Sequence, residues 1–220
     1  MEKEGVIKFD LRFTASSPVA MDTLTELNTW RQILREHALI GQDPARYEGH
    51  GFGNISQRAG GPDQPRGNRQ FLISGTQTGH LEALDNRHYA CVTSYDAETN
   101  QVVAEGPVRP SSESMTHGVI YDLDNALRAV LHVHSPDIWN SAASQGIPVT
   151  NASVEYGTPE MSREVERLYS QSDVRYKGIF SMGGHEDGIV AFGQTVEAAG
   201  NTLLTALAGS RSGDRLCLNQ

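Results

Sequence analysis

His132-Val133-His134, at the end of the run Arg128-Ala129-Val130-Leu131, limits what this chain can fold into more than any other stretch. The run is apolar, β-branched and short enough to be a buried strand. Side chains at i and i+2 of a strand share a face, so both imidazoles can reach one cation; on a helix they would diverge by roughly 200°. Two strand histidines with satisfied hydrogen bonds would show the same spacing, and two ligands do not close a site. Further ligands have to come from elsewhere in the chain. Glu113 lies upstream at what reads as a helix N-terminus, and His185 lies downstream between Gly184 and Glu186, just ahead of the apolar run Gly188-Ile189-Val190-Ala191-Phe192. Three imidazoles and a carboxylate from separate elements would make a site with room for substrate or water.

The rest of the composition narrows the setting. With 220 residues, 38% of them hydrophobic, the chain has enough for one sizeable domain, expected over 1–220 with residues 1–20 as an accessory N-terminal arm. A formal net charge of -9 offers no electrostatic attraction to nucleic acid or an anionic membrane, so any phosphate binding must be local. The acidic, alternating start MEKEGVIKFDLRF is not a secretory signal, and no apolar run approaches the ~18 residues of a membrane span. These features read as cytoplasmic. Cys91 and Cys217 do not make a disulfide framework and read as free thiols, with Cys91 a poor nucleophile.

Along the chain, Val6 to Phe13 alternates, which suits a half-buried strand or an arm laid on a neighbour. Thr23-Leu24-Thr25-Glu26 has capping-box form, followed by helical spacing through about Ala38. Gly49 to Ser56 is a glycine-rich entry to a short strand, and residues 59–68 read as a surface loop. Phe71 to Ser74 reads as a strand, and Tyr89 to Tyr95 with Gln101 to Ala104 as a hairpin. After Pro110 a helix is expected with Ser111 or Ser112 as its cap, and further helices over Pro136 to Ala143, Pro159 to Leu168 and Val196 to Leu207. Ile179 to Met182 and Ile189 to Phe192 complete the strands. Hairpin-like pairs mixed with crossovers point to an α/β fold with a mostly antiparallel sheet flanked by helices, and no dinucleotide fingerprint is present.

Gly53-Asn54-Ile55-Ser56, Ile73-Ser74-Gly75-Thr76, Pro110-Ser111-Ser112-Glu113, His132-x-His134 and Gly184-His185 occur in an order and spacing that resembles the class II aldolase/adducin family, whose founding type is L-fuculose-phosphate aldolase. The resemblance covers roughly Thr23 to Leu207. It implies a three-layer α/β/α fold, with His132, His134 and His185 as metal ligands and Glu113 as general acid/base. A helix N-terminal Glu can equally serve only to offset the dipole. Zinc is the leading metal for three neutral imidazoles with open coordination, with manganese, cobalt or nickel as alternatives. Asn54, Ser74, Gly75, Ser111 and Ser112 match family positions that grip a phosphate, and a helix N-terminus beside glycine-loop amides can do so without lysine. The implied activity is a metal-dependent lyase acting on a small phosphorylated or carboxylated hydroxy-carbonyl substrate through an enediolate, with aldol cleavage first. Epimerisation, decarboxylation and dehydration use the same machinery, and adducin carries the fold without enzyme chemistry. The resemblance also implies a homotetramer. One departure is Glu186, where aldolase-type relatives commonly have Gly; a carboxylate there could add a ligand or change the metal preference, and the favoured reading is a hydrogen bond to a metal ligand or a surface position. His117 is expected to pack or to orient Glu113, and Tyr121 and Trp139 to belong to the core.

Overall fold

Alternation decides the geometry around the paired histidines, and the elements before them build the sheet they sit in. The computed structural model describes residues 5–217, with side chains through Arg211. Strand β1 (Asp10–Ala15) is followed by α1 (Thr25–Glu36) and the two short strands β2 (Gly41–Gln42) and β3 (Gly51–Phe52). Next come β4 (Asn54–Arg58), β5 (Phe71–Ser74), β6 (Tyr89–Asp96) and β7 (Gln101–Gly106). Helix α2 (Ser114–Leu123) leads into β8 (Ala129–His134), α3 (Pro136–Ser141), α4 (Pro159–Gln171) and α5 (Val174–Lys177). Strands β9 (Ile179–Ser181) and β10 (Gly188–Gly193) precede the last helix, α6 (Val196–Cys217).

Eight strands form one sheet in the order β1-β7-β6-β5-β4-β8-β10-β9, while β2 and β3 pair separately. The β1–β7 pair is parallel and the other six pairings are antiparallel. Alternation sorts the side chains into two cores. Ala129, Leu131 and Val133 of β8 pack with Leu27 and Leu34 of α1, Ile138 of α3, and Leu203 and Leu207 of α6. Val130 packs on the opposite side with Met115 and Val119 of α2 and Met161, Val165 and Leu168 of α4. The sheet therefore lies between two helical layers, the expected three-layer α/β/α arrangement, and His132 and His134 share the Val130 face.

One local expectation is corrected. The capping box at Thr23 does not form: Met21–Leu24 winds as a 3-10 turn, Thr25 N–H donates to the Asp22 carbonyl, and α1 begins at Thr25 with Leu24 as its cap residue and no side-chain cap. The turn supplies carbonyl partners that a capping side chain would otherwise replace. The alternating N-terminal segment forms a strand of its own sheet, the first of the two readings its pattern allowed. Its strand starts at Asp10 and pairs with β7 from Asp10↔Gln101 to Ala15↔Gly106, with Phe9 buried and Ile7, Leu11 and Phe13 packed on the same core. Most of the remaining elements fall where the patterns put them, within a residue or two at most ends, although α4 runs on to Gln171 and α6 to Cys217, and β2 and α5 carry no pattern that marked them.

Candidate metal centre and anion pocket

Three elements converge to build the site. Strand β8 delivers His132 and His134 from its buried interior, registered against Val190 and Gly188 of β10. On the other side Asn54 of β4 stands opposite His132. The turn between β9 and β10 carries His185 and is tight: His185 N–H donates to the Met182 carbonyl at 3.1 Å, and Gly188 N–H to the His185 carbonyl at 3.0 Å. Gly183 and Gly184 let this turn lie against residues 150–154, because a Cβ on them would meet the Thr150 and Val154 carbonyl oxygens at 2.3 Å and 2.2 Å. Glu113 comes from the residue immediately before α2.

The side chains meet at their tips. Glu113 Oε1 is 2.9 Å from His132 Nε2 and 3.5 Å from His185 Nε2. His134 Nε2 lies 3.0 Å from His132 Nε2, and the four candidate ligand atoms are all within 4.8 Å of one another. Metal–nitrogen bonds of 2.0–2.1 Å in tetrahedral geometry put ligand atoms about 3.3 Å apart, so these separations suit one shared cation. All four residues are buried. Among the described residues, Glu113 Oε2 and His132 Nδ1 have no hydrogen-bond partner.

The protonation states suit the same purpose. Burial drives the His134 imidazole well below its ordinary range, and the nearby His185 and His132 add to that, leaving the neutral ring that coordinates a metal. Burial pushes the Glu113 carboxyl upward, but the facing His132, and after it His185, outweigh burial and hold it well below the usual carboxylate range. The donor set, three imidazoles and one carboxylate, fits a divalent cation such as zinc.

Beside this cluster is a small pocket lined by Gly53, Asn54, Gly75, Thr76, Ser111 and Ser112 among others. Four of the five expected phosphate-gripping residues are thus brought together, and Ser74 is not among them. Ser74 Oγ accepts from Ile55 N–H at 3.1 Å, which ties β4 to β5. Gly75 lines the pocket without offering its amide, which donates to the His88 carbonyl at 2.8 Å. Its missing side chain matters instead, since a Cβ would meet Val108 Cγ1 at 2.6 Å. Neither Ser111 nor Ser112 caps α2. The cap position is Glu113, and Ser111 Oγ accepts from Glu113 N–H at 3.3 Å, fixing the backbone of that carboxylate. Asn54 Oδ1 has no partner among the described residues.

Glu186 is exposed and stands outside the cluster, so it is a surface residue. His117 packs: its Nδ1 meets Ser56 Oγ at 2.7 Å, and it does not join the cluster. Tyr121 is fully buried, whereas Trp139 is partly buried and donates to the Met182 carbonyl at 3.0 Å. Cys91 is a half-buried free thiol, pushed up to about 11 by burial, and the side chain of Cys217 lies outside the described residues. Sequence reasoning missed Tyr156, whose ring lies 4.7 Å from that of His185, and the trio Arg46, Tyr47 and Asp187 beside His134. An Asp directly before the glycine of the His185 turn was the one available signal. No described helix is long and apolar enough to cross a membrane.

Comparison with known proteins agrees with the fold. Sugar-phosphate aldolase from Thermotoga maritima superposes with a TM-score of 0.66 at 18% identity, covering 90% of this chain and 97% of that one. An L-fuculose 1-phosphate aldolase gives 0.63 at 19% identity, covering 92% and 89%. YgbL from Escherichia coli, for which aldolase, epimerase and decarboxylase activities are all candidates, gives 0.61 at 15% identity, covering 87% of each chain. No curated protein matches by sequence. The family described as Class II Aldolase and Adducin N-terminal domain matches residues 44–206, which include every residue of the candidate centre, and the chain belongs to that family.

Proposed function

We propose that the protein is a divalent-metal-dependent lyase that cleaves a carbon–carbon bond in a small sugar-phosphate-like substrate by aldol chemistry. The convergence of Glu113, His132, His134 and His185 on one buried point carries this reading. His132, His134 and His185 would hold the cation, with zinc the first choice. When bound, such a cation supplies Lewis acidity toward a carbonyl and an adjacent hydroxyl, and stabilises negative charge as the bond breaks.

The chain's own residues account for binding and proton movement. Ser111 and Ser112 directly precede Glu113, so a phosphate held by their hydroxyls and by Asn54 would present its carbon chain to that carboxylate. Cleavage removes a proton from a hydroxyl on one side of the bond and returns one to carbon on the other. Glu113 would carry it on Oε2, the oxygen without a partner among the described residues, while Oε1 faces the imidazoles. Burial of the cluster excludes bulk water from this exchange. Homotetrameric assembly and a cytoplasmic setting are part of the same reading; the tetramer rests on family likeness alone, because the N-terminal strand is engaged in its own sheet.

The test is turnover of a panel of short ketose phosphates and hydroxy-acid analogues by metal-loaded wild type and Glu113→Gln. Aldehyde and keto products identify aldol cleavage; inverted substrate, carbon dioxide or an unsaturated product would instead identify epimerisation, decarboxylation or dehydration. Glu113→Gln should retain metal and lose on the order of 10²- to 10⁴-fold in rate. A metal-loaded wild type that binds ligands without turning over any of them would mark a binding module of the adducin kind.

A further inference from the structure

Around His134 lies a group of residues that this mechanism does not use. Six non-glycine residues among those described have positive φ, and three of them, Tyr47 at 51°, Glu48 at 56° and Asp187 at 62°, come from the two segments that meet here. Side-chain-bearing residues adopt this backbone sparsely, and it tends to persist where surrounding contacts over-determine it. The contacts are specific. Tyr47 hydroxyl donates to Asp187 Oδ2 at 2.6 Å, and Arg46 reaches the same oxygen at 3.1 Å. The Tyr47 ring stands edge-on to His134 with centroids 4.6 Å apart, and Phe52 bounds the same imidazole at 5.5 Å. Asp187 follows His185 by two residues, and its carbonyl accepts from Ser135 N–H at 2.9 Å, directly after His134.

One hydrogen bond thereby joins the ring packed on His134 to the turn that carries His185. We propose that Tyr47, acting through its hydrogen bond to Asp187, is a positioning residue that sets the placement of His134 relative to His185. The proposal rests on the metal-centre reading above. Tyr47 remains the donor at ordinary pH, because burial and then its bond to Asp187 raise its phenol far above the usual range. Arg46 lies over the Tyr47 and Phe52 rings at 4.8 Å and 5.1 Å, so it holds the aromatic pair as well as the carboxylate.

Tyr47→Phe keeps the ring against His134 and removes only the bond to Asp187. Zinc affinity by competition with a chromophoric chelator, and the visible spectrum of the cobalt-substituted protein, are compared for wild type, Tyr47→Phe and Glu186→Gln. Loss of a partner that orients metal ligands typically weakens metal binding by about 10- to 100-fold, which is the expectation for Tyr47→Phe, together with an altered cobalt spectrum and unchanged far-UV circular dichroism. Glu186→Gln should match wild type. If Tyr47→Phe does not fold, Arg46→Met reads the same contact from its other donor, with a loss of affinity in the same direction. Affinity within about twofold of wild type in the folded variant would overturn the proposal while leaving the metal centre standing. A wild type that takes up no zinc or cobalt would overturn the metal-centre reading and this proposal with it.

Discussion

Replacing His117 by glutamine should remove a defined part of the protein's sensitivity to acid. His117 is fully buried, with Nδ1 2.7 Å from Ser56 Oγ, which also meets the Tyr121 hydroxyl at 2.7 Å. Burial drives this imidazole from its ordinary 6.5 down to about 3, against the opposing pull of Glu113. An unfolded chain takes up a proton near pH 6.5, but the folded chain does not until about pH 3. The unfolded state binds more protons throughout that window, so the stability is fully present above pH 6.5 and falls as the pH drops. One pKa unit corresponds to about 1.4 kcal/mol, giving a loss of about 3 kcal/mol between pH 6.5 and pH 4 from this residue. Urea unfolding of metal-free wild type and His117→Gln, at fixed protein concentration over that range, isolates the contribution. Wild type should start as the more stable protein at neutral pH and lose about 3 kcal/mol of its advantage by pH 4. A gap between the two that stays constant with pH would refute the reasoning.

Gly184→Ala places a Cβ 2.2 Å from the Val154 carbonyl, which is backbone and cannot swing away, so the His185 turn must shift. Metal affinity should fall at least about tenfold with helical circular dichroism preserved, and wild-type affinity would mean that the turn adapts freely. Phe9→Ala should cost about 3 kcal/mol in urea unfolding, since Phe9 is buried against the second core, while leaving the mass in light scattering unchanged. A change in mass without a change in stability would return this segment to an intersubunit role. In a Cys217→Ser background, Cys91 should react slowly with a thiol reagent at neutral pH and quickly in urea, because burial pushes its thiol up to about 11. Rapid modification of the folded protein would contradict that.

The parts legible in the sequence are those governed by short-range patterns. A short apolar, β-branched run located β8, period two put His132 and His134 on one face, and Pro136 marked the start of α3, where Ser135 Oγ accepts from Ile138 N–H. Gly184 stood out only as the neighbour of His185; that it and Gly183 allow a close approach to the Val154 and Thr150 carbonyls emerges from the fold. What was not legible depended on distant partners. The amide of Gly75 could not be known to be engaged by His88, nor Ser74 by Ile55, until the strands were paired. The parallel partner of β1 lies about ninety residues away, beyond any local pattern. Arg46, Tyr47 and Asp187 gave little warning, because Tyr47-Glu48 adopts a backbone for which Gly or Asn is the usual marker.

The central claim is that His132, His134 and His185 hold one divalent cation beside Glu113, and elemental analysis after metal reconstitution tests it most directly. Wild type and His132→Ala are loaded with zinc, freed of excess by gel filtration, and measured for metal per chain alongside their circular dichroism. Wild type should retain about one zinc per chain and His132→Ala should retain almost none, with the secondary structure of both unchanged. Equal zinc in the two proteins, or a folded wild type that emerges without any, would contradict the assignment.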